Sequence, residues 1–228
     1  MQNMHRENMQ NMQNMHRENM QSMHRETMQN IHRENIHGGS FPKVFLLKPG
    51  SLLRDDSGCI LDARSSVTLI MSNEIKIVVD SGLAGEDRRI LDALDRLKVM
   101  PDSVDIVINT HAHSDHCGNN HLFCRAKILT PEDGELIAPG VWAMKTPGHS
   151  MDSISIVVEG PRRIVMAGDA LPTFGNFIKN IPPFLHVDRE LAVSSMARII
   201  STADIIIPGH DLPFSVKERS YTKLPSDE

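Results

Sequence analysis

The chain has 228 residues, of which 40% are hydrophobic and 23% are charged, and its formal net charge is −5. This composition is typical of a globular protein of one domain with a buried core. No apolar run approaches the roughly 20 residues that span a bilayer, so no membrane association is expected. Three cysteines cannot build a disulfide framework, which favours a cytoplasmic location. The negative charge argues against a large nucleic-acid surface.

The first 39 residues differ from the rest. The unit Met-His-Arg-Glu-Asn begins at Met4 and Met15, and near copies begin at Met23 and Ile31. This repetitive, polar segment predicts a low-complexity extension, disordered or loosely helical. Gly38, Gly39 and Ser40 form a linker, so the predicted domains are an extension over residues 1–39 and a folded domain over residues 40–228.

Within the folded domain, short apolar runs alternate with helical patterns. Strands are predicted at residues 43–47, 66–71, 74–79, 104–108, 141–144, 153–158, 164–167 and 205–207. Helices are predicted at residues 84–98 and 189–201, the second with Asp188 as its N-cap. Its predicted buried face comprises Ala192, Met196, Ile199 and Ile200. Strands and helices mixed in this way indicate an α/β (α+β) domain in which helices cover the sheets.

One short stretch concentrates potential metal ligands. His111, His113, Asp115 and His116 fall within six residues, directly after the predicted strand 104–108. In an extended segment residues i and i+2 point to the same side, so His111 and His113 can converge on one ion. Imidazole and carboxylate groups are ligands of Zn²⁺ and similar divalent ions.

Three further candidates repeat one pattern, in which an apolar strand ends, a glycine follows, and then a potential ligand. His149 follows strand 141–144, Asp169 follows strand 164–167, and His210 follows strand 205–207. A glycine followed by His or Asp is common in turns, so each of these positions alone is weak evidence. Together they indicate that several strand ends deliver ligands to one site on a rigid scaffold.

The number of ligands sets the expected number of ions. Seven candidates exceed what one tetrahedral ion uses, but they suit two ions that share a bridging carboxylate. Asp169 is the expected bridge, and Asp115 and Asp169 are the expected catalytic carboxylates. Two Zn²⁺ ions with a hydroxide between them would hydrolyse a substrate. One or two iron or manganese ions are the alternative cofactors.

These motifs resemble the metallo-β-lactamase-fold superfamily. The resemblance covers residues 43–216 and rests on Val79-Asp80-Ser81-Gly82, on the run from His111 to Gly118, and on His149, Asp169 and His210 in family order. It implies a four-layer αβ/βα sandwich with the site at the edge between two sheets. It also implies that His111, His113 and His149 bind one metal, that Asp115, His116 and His210 bind another, that Asp169 bridges them, and that Asp80 supports the ligands from behind.

Within the superfamily, the chain is most similar to the compact subgroup around metallo-β-lactamase domain-containing protein 1. That resemblance lies in residues 52–69, in the segment ending at His149, and in the segment ending at His210 with Pro213 and Phe214 after it. The subgroup is associated with RNA cleavage and with β-lactam binding or turnover. An RNA phosphodiester and a β-lactam or ester therefore both stay open as substrates. The alternatives are an enzyme like the persulfide dioxygenases with one iron, and a metal-binding protein without turnover.

The connection over residues 171–186 is long and shows no periodicity, as functional loops often do. It holds Phe174, Phe177, Phe184 and His186, which are candidates for a substrate wall beside the metals; a small satellite core is the alternative. Arg162 and Arg163, or Lys179, could supply a local basic patch for RNA. No protein partner is indicated apart from a second copy in a homodimer, so the expected partner is an RNA or small-molecule substrate.

Overall fold

Two β-sheets form the centre of the fold in the computed structural model, which describes residues 40–227. The strands are β1 (Lys43–Lys48), β2 (Ser51–Arg54), β3 (Ile60–Arg64), β4 (Val67–Ser72), β5 (Ile75–Val79), β6 (Ile106–Ile108), β7 (Lys127–Leu129), β8 (Leu136–Ala138), β9 (Val141–Lys145), β10 (Ile154–Val158), β11 (Ile164–Gly168), β12 (Ile205–Pro208), β13 (Phe214–Ser215) and β14 (Ser220–Tyr221). The α-helices are α1 (Asp87–Arg96), α2 (Ser114–Cys117), α3 (Phe174–Lys179) and α4 (Arg189–Thr202). Short 3₁₀ turns span Pro101–Ser103, Asn120–Phe123 and Pro225–Asp227. The predicted extension over residues 1–39 lies outside the described residues.

The first sheet has the strand order β1-β4-β5-β6-β7, and the second has the order β14-β13-β12-β11-β10-β9-β8. Strands β2 and β3 pair separately as a hairpin. The central strands of the first sheet, β5 and β6, run parallel, as do β11 and β12 of the second. Parallel neighbours bring their carboxyl ends to the same edge, and the ligand-bearing segments leave from those ends.

Successive side chains of a strand point to opposite faces of its sheet, and the buried hydrophobic residues form three clusters. Ile77 and Val79 of β5 pack toward Ile156 and Ile207 of the second sheet, so the two sheets face each other. Val78, between them in sequence, packs on the opposite face in a cluster with the helix α1. The second sheet is covered in the same way, by Phe177 of α3 and by the helix α4. The result is the four-layer αβ/βα sandwich that the resemblance implied.

Most of the predicted elements are present with shifted ends. Helix α1 begins at Asp87, three residues later than predicted, because Gly85 before it has a positive φ of 88°. Helix α4 begins after Asp188, whose carboxylate accepts a hydrogen bond from the Leu191 amide, as predicted for an N-cap. Ala192, Met196 and Ile199 are buried, but Ile200 is only half-buried and Ser195 takes its place.

The prediction of an irregular connection over residues 171–186 was wrong in its first half. Thr173 accepts a hydrogen bond from the Asn176 amide and starts helix α3, and Asn180 ends it in the left-handed conformation at φ 53°. Both are ordinary capping signals. Among the described residues, no helix is long and apolar enough to cross a membrane.

Candidate metal centre

Four strands deliver the seven candidate ligands to one place. Strand β6 of the first sheet leads to His111, His113 and helix α2, which carries Asp115 and His116. Strands β9, β11 and β12 of the second sheet lead to His149, Asp169 and His210. Their donor atoms form two groups, within each of which all lie within 4.8 Å of one another. We call His111, His113, His149 and Asp169 the first group, and Asp115, His116 and His210 the second group.

The first group converges through three imidazole nitrogens. His111 Nε2 lies 2.9 Å from His113 Nδ1, which lies 3.0 Å from His149 Nε2. His149 Nε2 is also 3.4 Å from Asp169 Oδ2. His111 and His149 are buried, whereas His113 is exposed. The group therefore opens to solvent on the side of His113.

The second group meets the first at Asp169. Asp115 Oδ2 lies 3.8 Å from His116 Nε2 and 3.5 Å from His210 Nε2. Asp169 Oδ1 lies 3.3 Å from His116 Nε2 and 3.0 Å from His210 Nε2. Asp169 Oδ2 lies 3.4 Å from His149 Nε2 in the first group and 3.2 Å from His210 Nε2 in the second. The Asp169 carboxylate thus contacts both groups, as a bridging ligand does.

Each buried histidine is held by its other ring nitrogen. His116 Nδ1 is 2.8 Å from Asp80 Oδ2, and His111 Nδ1 is 3.2 Å from Thr110 Oγ1. The remaining two contact main-chain carbonyls: His149 Nδ1 is 2.7 Å from Leu185 O, and His210 Nδ1 is 3.0 Å from Arg64 O. Partners of this kind fix the ring orientation and leave the other nitrogen free to bind a metal.

Asp80 occupies the position that the resemblance assigned to a supporting residue. Its carboxylate is buried and accepts hydrogen bonds from the Thr110 amide at 2.7 Å and the Thr110 hydroxyl at 2.9 Å, besides facing His116. Its backbone adopts φ 58°, which is uncommon outside glycine and is enriched in Asn and Asp. The surrounding contacts hold this conformation, in which Oδ1 faces the Thr110 amide and Oδ2 faces both the Thr110 hydroxyl and His116.

Two of the groups that hold the histidine rings, the Leu185 and Arg64 carbonyls, were not predicted from the sequence. The Leu185 and Arg64 carbonyls belong to the main chain, so no residue type at these positions signals the role. Arg64 ends strand β3 of the hairpin, which was also not predicted. Five of the nine residues of β2 and β3 are exposed, so the hairpin lacks a clean alternation of buried and exposed positions. Only the folded chain brings these carbonyls to the histidines.

Two glycines are needed so that the ligand segments can approach one another. A Cβ atom at Gly209 would overlap Asp169 Oδ1 and the main chain of Gly168. A Cβ atom at Gly148, whose φ is 134°, would overlap the main chain of Ala192 in helix α4. The glycines before His149 and His210, which the sequence pattern used as turn signals, therefore have a steric reason in the folded chain.

The donor set fits metal ions. Among the described residues, the buried side-chain atoms without a hydrogen bond are Ser65 Oγ, His116 Nε2, Asn119 Oδ1 and Asp169 Oδ1. Two of these four, His116 Nε2 of the second group and Asp169 Oδ1 of the first, lie 3.3 Å apart. Buried polar atoms without a partner are costly in a folded protein, and a bound cation would satisfy both.

Without metal, the pKa values of the histidines are shifted in opposite directions. Burial lowers the pKa of His111 to about 2, so this ring stays neutral and ready to bind. Burial opposes the charged form of His116 too, but Asp80 and Asp169 outweigh it and raise its pKa. Burial likewise opposes the charge on His210, and Asp169 raises its pKa. Protons thus occupy part of the second group when metal is absent.

This difference predicts proton release on metal binding. Because the pKa values of His116 and His210 are raised, their protons persist to higher pH and must leave before a metal binds. Metal affinity should therefore weaken as the pH falls through these raised values, whereas His111 contributes no proton above about pH 2. Titration calorimetry with Zn²⁺ in two buffers of different ionisation enthalpy measures the release. Binding at pH 7 without proton release would contradict this charge assignment.

The predicted substrate wall divides into two parts. Phe177 is buried and stacks on Phe214 at 5.0 Å between ring centroids, and Phe174 packs on the same ring at 5.1 Å. Phe177 belongs to the core beneath the second sheet and the half-buried Phe174 packs against it, an arrangement that corresponds to the alternative of a satellite core. Phe184 and His186 are exposed, on either side of Leu185, whose carbonyl contacts His149. Only these two remain beside the site.

The predicted basic patch does not form at the site from Arg162 and Arg163. Both precede strand β11, whereas Asp169 follows its other end. Arg163 pairs with Glu159 at 2.9 Å. The five residues of β11, at about 3.3 Å each, separate these cations from the ligands. Lys179, at the end of α3, is exposed.

The sandwich fold with His and Asp donors at its sheet edge defines a class of metal-dependent hydrolases. A family model described as the metallo-beta-lactamase superfamily matches residues 62–139. A probable metallo-hydrolase of Methanocaldococcus jannaschii is 35% identical over 177 residues, covering 73% of this chain and 85% of that protein. The chain belongs to the metallo-beta-lactamase superfamily.

Two further relatives and a solved structure are similar to this chain. Metallo-beta-lactamase domain-containing protein 1 of Xenopus laevis is 35% identical over 183 residues, covering 72% of this chain and 77% of the relative. N-acyl homoserine lactonase of Bacillus thuringiensis is 29% identical over 173 residues, covering 61% and 68%. The solved structure of a quorum-quenching N-acyl homoserine lactone hydrolase shares the fold, with a TM-score of 0.62, 24% identity, and coverage of 82% of this chain and 98% of the other.

Proposed function

We propose that the chain is a hydrolase that binds two zinc ions, one at each group, and cleaves an ester or lactone with an apolar portion. The observation that carries the two-ion part is Asp169, whose carboxylate lies within 3.4 Å of His149 in the first group and of His116 and His210 in the second. Bound zinc ions would lower the pKa of water and polarise the attacked carbonyl. Iron or manganese in the same positions are the alternative cofactors, and one iron would favour the oxidative alternative.

The protein's own residues prepare the site for this chemistry. Asp169 joins the two groups and holds them at a fixed separation. Asp80 orients His116, and the Leu185 and Arg64 carbonyls orient His149 and His210. Asp115, with a side-chain exposure of 16%, lies on the accessible side and can contact both a ligand and an entering substrate.

The surroundings of the site favour an apolar substrate. Exposed apolar side chains adjoin the ligand segments: Met151 comes two residues after His149, Leu212 two residues after His210, and Phe184 next to Leu185. The hairpin of β2 and β3 carries two further exposed apolar side chains, Leu53 and Leu61. The guanidinium of Arg54 in β2 lies 5.9 Å from the Phe184 ring centroid, so the hairpin and the segment 181–187 are neighbours.

These surroundings are a poor surface for a polyanion. Phosphate backbones are bound mainly by lysine and arginine, but Arg64 is already paired with Asp62 at 2.7 Å and with Glu86 at 3.3 Å. Arg54 lies over the Phe184 ring and donates a hydrogen bond to Gly58 O at 2.7 Å. An acyl or similar apolar group would instead remove exposed side chains from water. The lactonase relatives are named for acyl-bearing lactones, which supports the same substrate class. An RNA phosphodiester and a β-lactam are the competing substrates.

A substrate panel on protein of measured metal content tests the proposal. Lactones and aryl esters of short and long acyl chains, a β-lactam and a single-stranded RNA are assayed at equal enzyme concentration. We expect hydrolysis of the esters or lactones, with kcat/KM rising with acyl length, in protein that holds two zinc ions. Faster cleavage of RNA would overturn the substrate class. One iron per chain without hydrolysis would support the oxidative alternative, and full metal without any turnover would support a binding protein.

Replacing Phe184 with alanine tests whether this exposed side chain contacts the acyl part of the substrate. The side chain is 77% exposed, so its removal should not affect folding. Loss of its contact with an acyl chain, worth about 1 kcal/mol, should lower kcat/KM roughly fivefold for long-chain substrates and leave short-chain ones unchanged. Ile128→Ala is the matched control, because Ile128 is also exposed but lies on the edge strand β7. Equal effects on both chain lengths would exclude acyl contact by Phe184.

A further inference from the structure

Glu86 is a buried carboxylate with no role in the chemistry described so far. It stands just before helix α1, but its side chain makes no capping hydrogen bond to that helix. Its side chain is 1% exposed. Lys48 Nζ lies 3.0 Å from Oε2, the Leu83 amide donates to the same oxygen at 3.0 Å, and Arg64 Nη1 lies 3.3 Å from Oε1. Burial of such a charge is stable only with partners of this kind.

One of these contacts leads to His210. The Arg64 side chain is fixed by Glu86 and by Asp62, and the Arg64 main-chain carbonyl lies 3.0 Å from His210 Nδ1. The next residues strengthen the same connection, because the Ser66 amide donates to Gly209 O at 2.7 Å. The position of Arg64 therefore sets the orientation of the His210 ring.

The other contact leads to helix α2. Leu83, whose amide Glu86 holds, accepts a hydrogen bond from the Asn119 side chain at 2.8 Å. Its neighbour Gly82 accepts one from the Gly118 amide at 2.9 Å, and the Ser81 amide donates to His116 O at 2.7 Å. Residues 81–83 thus hold the end of α2, the helix that carries Asp115 and His116.

We propose that Glu86, with its charge balanced by Lys48, is a positioning residue for the second group. It joins the support of His210 to the support of Asp115 and His116, and so sets the distance between the two sides of that group. The buried histidines of the first group are supported elsewhere, His149 by Leu185 O and His111 by Thr110. Loss of Glu86 should therefore affect one metal position and not both. The inference rests on the proposed two-metal function.

The test is Zn²⁺ titration of the metal-free full-length chain and its Glu86→Gln variant. Mutation of a residue that supports a metal ligand typically weakens metal affinity 10- to 100-fold. We expect one of the two zinc affinities to fall by about 10-fold or more, with the other within about twofold of the parent. Glu159→Gln is the matched control: Glu159 also pairs with an arginine and follows β10 at the end of the sheet opposite the ligands. Equal weakening of both affinities, or no change, would overturn the proposal.

A second readout separates this proposal from the two-metal function. The imidazole nitrogen signals of the metal-free protein should shift for His210 in Glu86→Gln while those of His149 stay in place; an unchanged His210 signal would overturn the role of Glu86 whatever the number of zinc ions. A parent protein that binds one zinc would contradict only the two-metal function. If Glu86→Gln does not fold, Arg64→Met cuts the same link and keeps the Lys48 pair. The same shift of His210 is expected, and its absence would count against the proposal.

Discussion

Replacing Asp169 with alanine is expected to lower hydrolysis by on the order of 10³-fold or more, as removal of a group that organises transition-state charge does. Asp169 Oδ1 lies 3.0 Å from His210 Nε2, and Oδ2 lies 3.4 Å from His149 Nε2. Without the carboxylate the two groups lose their common ligand, and metal content should fall together with activity. Elemental analysis and kcat/KM measured on the same preparation test both effects.

A matched control is available on the same pair of strands. Asp204 precedes β12 and its carboxylate accepts a hydrogen bond from the Arg163 amide at 2.8 Å, at the end of the sheet opposite Asp169. Asp204→Ala should keep full metal content and activity, with at most a modest loss of stability. A folded Asp169→Ala protein with two zinc ions and parental turnover would contradict the bridging role.

Replacing Asp80 with asparagine is expected to weaken zinc binding at the second group by about 10- to 100-fold. Asparagine tolerates the left-handed backbone of this position, so the change mainly removes the charge. Its amide would present a donor to His116 Nδ1 in place of an acceptor. The imidazole proton would then move to Nε2, the nitrogen that faces Asp169 and Asp115, where it blocks metal binding.

The measurement for Asp80→Asn is zinc affinity by calorimetry, with thermal unfolding of the metal-free protein as the check on folding. In the metal-free chain the pKa of His116 is raised by Asp80 and Asp169 against the effect of burial. That pair stabilises the fold below the unfolded pKa of about 6.5, and the contribution is lost as the pH rises through the raised value. The variant should therefore lose stability mainly on the acid side. Unchanged zinc affinity in folded Asp80→Asn would show that Asp80 does not control His116.

The candidate ligands could be predicted because they follow simple local patterns. His111 and His113 are two residues apart, and His149, Asp169 and His210 each follow an apolar strand and a glycine. Parallel pairing of β11 and β12 places the latter two at one sheet edge. The fold class followed from the same strands, since their apolar runs need covering on both faces.

What could not be predicted depends on contacts between distant segments. The contacts of Arg64 and Leu185 with the histidines use main-chain carbonyls, which any residue type supplies. The packing of Phe177 on Phe214 joins residues that are 37 positions apart in the sequence. Helix α3 is the exception, because Thr173 and Asn180 are recognisable caps that a search for periodicity alone overlooks. Six residues are too short a helix for a periodic pattern to stand out.

The proposed site holds two metal ions that share Asp169. Anomalous X-ray diffraction at the zinc edge, from crystals of the full-length chain grown with Zn²⁺, tests it directly. We expect two anomalous peaks about 3.5–4 Å apart, one within the first group and one within the second, each with an oxygen of Asp169 as a ligand. A single peak, or two peaks of which only one contacts Asp169, would contradict it.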